Sequence, residues 1–168
     1  MLKGKMQLPY VTCLSQRYVC VPDRIILGEV RDAAACELLS VMNTGHDGSL
    51  STGHANSTQD MLNRLETLVL MGMDIPLLAV RNQIASAIDI VVQLGRLRDK
   101  SRKVLEVAEV TGVKNGEITM QPIFKFIETG TCTDGKIKGE LRATGNSLVN
   151  TSKLASAGFL GKFIPDKA

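Results

Sequence analysis

The sequence predicts an α/β segment followed by antiparallel hairpins, and three observations carry that prediction. A short, almost continuous apolar run, "RIILGEV" at residues 24–30, passes directly into a helical apolar spacing. Two more helical patterns follow before residue 90. Beyond residue 100, two β-rich runs meet at Asn115-Gly116, the strongest short hairpin signal that a sequence offers.

Each element has a local cause. Following Pro22, the run 24–30 reads as a strand buried on both faces of a parallel sheet. Asp32 can cap a helix over "AAACELLSVM", where Ala35, Leu38, Leu39 and Met42 recur at helical spacing. "GSLSTGHA", residues 48–55, alternates weakly and sits where the next strand should return. Ser57 and Asp60 form an S-x-x-D start signal for a helix turning Leu62, Leu65 and Val69 inward, with Met61 and Leu68, and Gly72 is its expected stop. Pro76 opens a helix over "LLAVRNQIASAI", and the strand pattern resumes from residue 89 in "DIVVQLGRLR". The stretch "GRLRDKSRK" mixes charges with turn formers, as a solvated hairpin tip does. Asp134-Gly135 marks a further turn and short strand, and "TSKLASAGF" a last short helix.

With 168 residues, 44% of them hydrophobic, the chain supports one main core. A single domain over 1–168 is expected, with an α/β part at 1–100 and a β-rich extension at 101–168. Twenty Lys and Arg against 17 Asp and Glu leave a mild net charge of +3, spread along the sequence rather than gathered in a block. Two Tyr, four Phe and no Trp are too few for a base-stacking platform, so no nucleic-acid partner is expected. Cys13, Cys20, Cys36 and Cys132 show no C-x-x-C spacing and read as reduced structural thiols. The N-terminus lacks the apolar core of a secretory signal, and no apolar run approaches the roughly 20 residues of a transmembrane helix. A soluble, cytoplasmic protein is expected.

Candidate chemistry gathers at residues 28–64. Ligands of open α/β sheets bind at the carboxyl ends of strands, and Glu29 stands at such an end. A carboxylate there can orient and deprotonate a water attacking a phosphoryl group, or it can simply favour the N-terminus of the next helix. His54 lies in "STGHANS", where small residues let a ligand approach; its imidazole can meet a terminal phosphate or be satisfied by a neighbouring hydroxyl or carbonyl. His46, His54 and Asp47 have no spacing typical of a zinc site, and Ser51, Thr52 and Ser57 lie in no G-x-S-x-G elbow. Arg31, Arg64 and Arg81 are each either phosphate contacts or surface ion-pair partners.

Taken together, "PDRIILGEVRD", "MNTGHDGSLSTGHANS", "RLETLVLMG" and "VRNQIASAIDIVVQLGRLRDKSRKV" closely resemble the C-terminal motor domain of type II/IV secretion system ATPases. The match is best to the CpaF/TadA branch, which powers assembly of Flp (tight adherence) pili; "EITMQPIFKF", "DGKIKGELRATG" and "LASAGF" extend it. The resemblance implies a RecA-like P-loop NTPase fold and a hexameric ring. It also implies ATP with Mg2+ between subunits, and work with inner-membrane platform proteins at the cytoplasmic face of the bacterial membrane. It makes "IILGE" the Walker B strand with Glu29 as catalytic glutamate, and sets His54 in a histidine box near the terminal phosphate. Gly28, Arg31, Thr52 and Arg64 fall at nucleotide-binding positions by the same resemblance. One departure stands out: the sequence holds no G-x-x-x-x-G-K-[ST], the loop whose amides and lysine cradle phosphates. Only about twenty residues precede "DRIILGE". The chain therefore reads as the C-terminal half of such an ATPase, with little activity by itself.

Overall fold

The computed structural model describes residues 23–159, so the readings of the N-terminal stretch, Cys13 and Cys20 lie outside the described residues. In chain order the elements are β1 (Ile26–Leu27), α1 (Ala34–Met42), β2 (Leu50–Ser51), α2 (Thr58–Gly72), α3 (Leu77–Ala87), β3 (Ile90–Arg96), β4 (Arg102–Lys114), β5 (Glu117–Thr131), β6 (Ile137–Ala143) and α4 (Ser152–Ser156). β1 and β2 pair in parallel, and β3 to β6 form an antiparallel sheet in sequence order. The mixed α/β architecture expected from the sequence is therefore present.

Start and stop signals act where the sequence puts them. The Asp32 carboxylate accepts the Ala34 N–H at 2.9 Å, and the Ser57 hydroxyl accepts the Asp60 N–H at 3.0 Å, supplying the first turns of α1 and α2 with acceptors. Pro76 precedes α3, and Ser152 begins the short α4. Asn115 (φ 53°) and Gly116 (φ 82°) both take left-handed backbone, as a two-residue hairpin turn requires, and they set the Lys114–Glu117 register of β4 and β5.

The run 24–30 departs from its expected form. Only two of its residues form the ladder, and burial is one-sided: Ile25, Leu27 and Val30 are buried, whereas Ile26 is 71% exposed. In an extended chain successive side chains point to opposite faces. The inward set packs with the helices, and no described helix lies against the outward one. β3 also pairs with β4, so the antiparallel sheet begins at Ile90, ahead of residue 100.

One core joins the two sheets. Leu27, Val30, Leu38, Leu39, Leu62, Leu65, Val69, Val80, Ile84, Val110 and Ile118 form a single buried cluster. Each such side chain contributes about 1.5 to 3 kcal/mol on leaving water. Arg81 locks the arrangement: on α3, it donates to Glu66 of α2 at 2.9 Å and to the Gly116 carbonyl and Glu117 at 2.6 and 2.8 Å.

The other face of the antiparallel sheet is crossed by residues 144–150, held by polar bonds. The buried Glu109 carboxylate accepts Val149 N–H at 3.0 Å, Asn150 N–H at 2.7 Å and Gln121 Nε2–H at 2.7 Å. Asn146 and Asn150 donate to the carbonyls of Pro122 and Val110. None of the described helices is long and apolar enough to cross a membrane.

Candidate functional site

Two backbone bonds bring the sequence's candidate residues together. Leu50 N–H donates to the Ile25 carbonyl, and Val30 N–H donates to the Thr52 carbonyl, each at 2.9 Å, so the ends of β1 and β2 lie side by side. Glu29 leaves the end of β1 and His54 follows the end of β2. The parallel ladder thus makes neighbours of residues 25 positions apart.

Glu29 has a partner on each oxygen. Arg31 Nη2 donates to Oε2 at 2.5 Å, and His54 Nε2 lies 3.3 Å from Oε1. The Arg31 hydrogen bond, aided by the charges of Arg31, His54 and Arg64, holds the Glu29 carboxyl below its ordinary range, against a smaller opposing effect of burial. The carboxylate is therefore ionised near neutral pH, and its side chain is 19% exposed. Arg31 and His54 are mostly exposed, at 73% and 82%.

The other candidates divide by contact. The Thr52 hydroxyl donates to the Gly28 carbonyl and so clasps β1 to β2. Nothing lies within 4 Å of where a Gly28 side chain would project, so open space adjoins the backbone just before the carboxylate. Arg64, exposed on α2, is near enough for its charge to reach Glu29. Arg81 is engaged instead with Glu66 and Glu117. His46 is buried, its Nδ1 3.2 Å from the Val41 carbonyl, apart from the exposed His54. No cluster of three metal-ligating side chains occurs among the described residues.

Sequence reasoning missed the tie behind the loop that precedes β2. Lys153 of α4 bridges Asp47 at 3.0 Å and Asp89 at 2.9 Å, attaching the residue next to His46 to α4 and to the start of β3. No local pattern signals it, because the partners are far apart in sequence.

Chemically, the site offers an ionised carboxylate flanked by the Arg31 guanidinium and the His54 imidazole beside an open backbone. The carboxylate can orient a water and accept its proton, while Arg31, Arg64 and His54 can attract an anion to the same place. That donor set fits the terminal-phosphate end of a nucleotide. A cradle for the remaining phosphates is a different matter, since the sequence has no G-x-x-x-x-G-K-[ST].

The model of the type II/IV secretion system protein family matches residues 2–153. A conjugal transfer protein, TrbB of Rhizobium radiobacter, is 42% identical over 94 residues, which cover 56% of this chain and 28% of that protein. The type IV secretion system protein VirB11 of Bartonella quintana is 37% identical over 89 residues, 51% of this chain and 25% of that protein. The crystal structure of the VirB11 ATPase from the Brucella suis type IV secretion system, in complex with sulphate, superposes with a TM-score of 0.57 at 30% identity, covering 60% of this chain and 31% of that one. The chain thus spans about a quarter to a third of the length of these relatives, and the 60% of it that superposes shares the RecA-like P-loop fold of the VirB11 ATPase.

Proposed function

We propose, starting from the fact that this chain belongs to the type II/IV secretion system protein family, that it is the hydrolytic half of a nucleotide-driven secretion motor. The observation that carries the reading is the pairing of Glu29 with His54 and Arg31 at the adjoining ends of β1 and β2. Glu29 acts as general base toward water. His54, Arg31 and Arg64 draw in the terminal phosphate, and by competing for Arg31 and His54 that phosphate frees the carboxylate. ATP, with Mg2+, supplies the phosphoryl group. Thr52 and Gly28 keep the two strand ends in register.

Within the family, the motifs quoted above favour the CpaF/TadA branch and Flp pilus assembly. A hexameric ring working with inner-membrane platform proteins at the cytoplasmic face belongs to the same proposal. Phosphate-loop contacts are charge-assisted and contribute about 1.5 to 3 kcal/mol each, so a chain without that loop binds nucleotide weakly. A second reading, favoured by the absence of a G-x-x-x-x-G-K-[ST] from these 168 residues, is that this segment by itself acts as a non-enzymatic module that joins rings of complete subunits.

Titration with a slowly hydrolysed ATP analogue and Mg2+, followed by hydrolysis assays alone and mixed with a complete homologous motor, tests both. Hydrolysis above that of the complete motor alone, lost when this chain carries Glu29→Gln, supports the hydrolytic half. Altered activity that is unchanged by Glu29→Gln supports the module. No effect of the chain in any mixture rejects the motor reading.

A further inference from the structure

The basic run at residues 96–103 is joined by the fold to two further lysines, Lys136 and Lys138. The β3–β4 turn (residues 97–101) and the β5–β6 turn (132–136) lie at one end of the antiparallel sheet and are tied together by the Ile137 N–H, which donates to Asp99 Oδ2 at 2.7 Å. Residues 96–103 and 128–138 carry seven Lys or Arg against Asp99, Glu128 and Asp134. This end therefore holds four net positive charges in a chain whose total is +3.

Its acids are already engaged. Asp99 accepts Ser101 N–H and Oγ–H on Oδ1 and Ile137 N–H on Oδ2, so both oxygens serve the turn. Those hydrogen bonds hold its carboxyl down at about 2. Glu128 pairs with Arg98, and Asp134 with Lys136. Among the described residues, Arg96, Lys100, Arg102, Lys103 and Lys138 have no carboxylate within ion-pair distance. Arg96 and Arg102 stand directly opposite each other across β3 and β4, a like-charge pairing that weakens a sheet. Beside them on the same outward edge, Leu94 is 69% exposed.

We infer that this end of the antiparallel sheet is a docking surface for an anionic phospholipid bilayer, with Arg96, Lys100, Arg102, Lys103 and Lys138 meeting headgroup phosphates and Leu94 entering the interface. Unpaired cations on a rigid tip attract a negatively charged leaflet, and an exposed aliphatic side chain among them gains by leaving water there. No aromatic residue lies between 94 and 104 to stack on bases, which favours lipid over nucleic acid. The inference rests on the membrane-peripheral location proposed above and names the surface that makes it.

Vesicle flotation tests it with the chain as it stands and without nucleotide, so lipid binding and hydrolysis succeed or fail separately. The probes are phosphatidylcholine vesicles with and without phosphatidylglycerol, at about 0.1 M and about 1 M salt, where the Debye length falls from about 10 to about 3 Å. Binding is expected only with phosphatidylglycerol at the lower salt. The combined variant Lys100→Gln/Arg102→Gln/Lys103→Gln should weaken it about a hundredfold, at about fivefold per cation. Arg102→Glu should lower lipid binding yet raise the unfolding midpoint, because it removes the opposed like charges; a purely structural arginine would not produce that combination. No binding by the parent chain, undiminished binding by the triple variant, or tighter binding to duplex DNA than to vesicles would each overturn the inference.

Discussion

Replacement of Glu109 by Ala removes the acceptor that fastens residues 144–150 to the sheet. Glu109 is 1% exposed, and its two oxygens receive three donors: Val149 N–H, Asn150 N–H and Gln121 Nε2–H. Hydrogen bonds to a charged group are worth about 1.5 to 3 kcal/mol each, so three amount to about 4.5 to 9 kcal/mol, and the several kcal/mol that burial of the carboxylate costs offset part of that, leaving a net loss of about 4 kcal/mol on truncation. For a chain of this size, where 1 kcal/mol moves the midpoint by about 2 to 4 °C, a 4 kcal/mol loss lowers it by about 8 to 16 °C. Glu109→Gln keeps an oxygen for the two backbone donors but opposes an amide to Gln121, so about 1 to 2 kcal/mol is expected. Urea unfolding gives both values, and hydrogen exchange at the Val149 and Asn150 amides reports the segment directly. An Ala variant that loses less than about 1 kcal/mol and keeps those amides protected would refute the reasoning.

Three further outcomes are expected. Asp99 has a folded value of about 2 against an ordinary 3.8, so its contribution is present above pH 4, roughly, and is lost as pH falls through about 2. The Ile137 amide shift should titrate there, and Asp99→Asn should abolish that step. Ser57→Ala removes the N-cap of α2 and should cost about 1 kcal/mol by urea denaturation. Gly139→Ala places a methyl 2.7 Å from the Ile127 carbonyl oxygen, which is backbone, and 2.5 Å from Phe126 Cζ; a loss of about 1 to 3 kcal/mol is expected by the same assay.

Local signals in the sequence foretold much of this molecule, because their causes are local. Ser57 caps α2 by accepting an amide three residues on, and Asp32, one residue ahead of the N-cap position of α1, accepts an amide two residues on. Asn115-Gly116 turns because those two residues adopt left-handed backbone, and the inward faces of α1 and α2 follow from 3.6-residue spacing. The same locality made Glu29 and His54 legible as separate candidates, each at the end of a strand or in a permissive loop.

What joined them was not local. The Leu50–Ile25 and Val30–Thr52 bonds set a parallel register across the intervening helix α1, and only that register brings His54 to Glu29. The buried Glu109, the Lys153 bridge to Asp47, and the meeting of the 97–101 and 132–136 turns at one sheet end likewise depend on partners far along the chain. The one-sided burial of residues 24–30 has the same origin. Composition marks a run as apolar, but which of its faces is covered depends on where the helices pack. Short-range sterics and spacing determine the elements, whereas register and packing determine which side chains meet, and the candidate chemistry of this protein resides in those meetings.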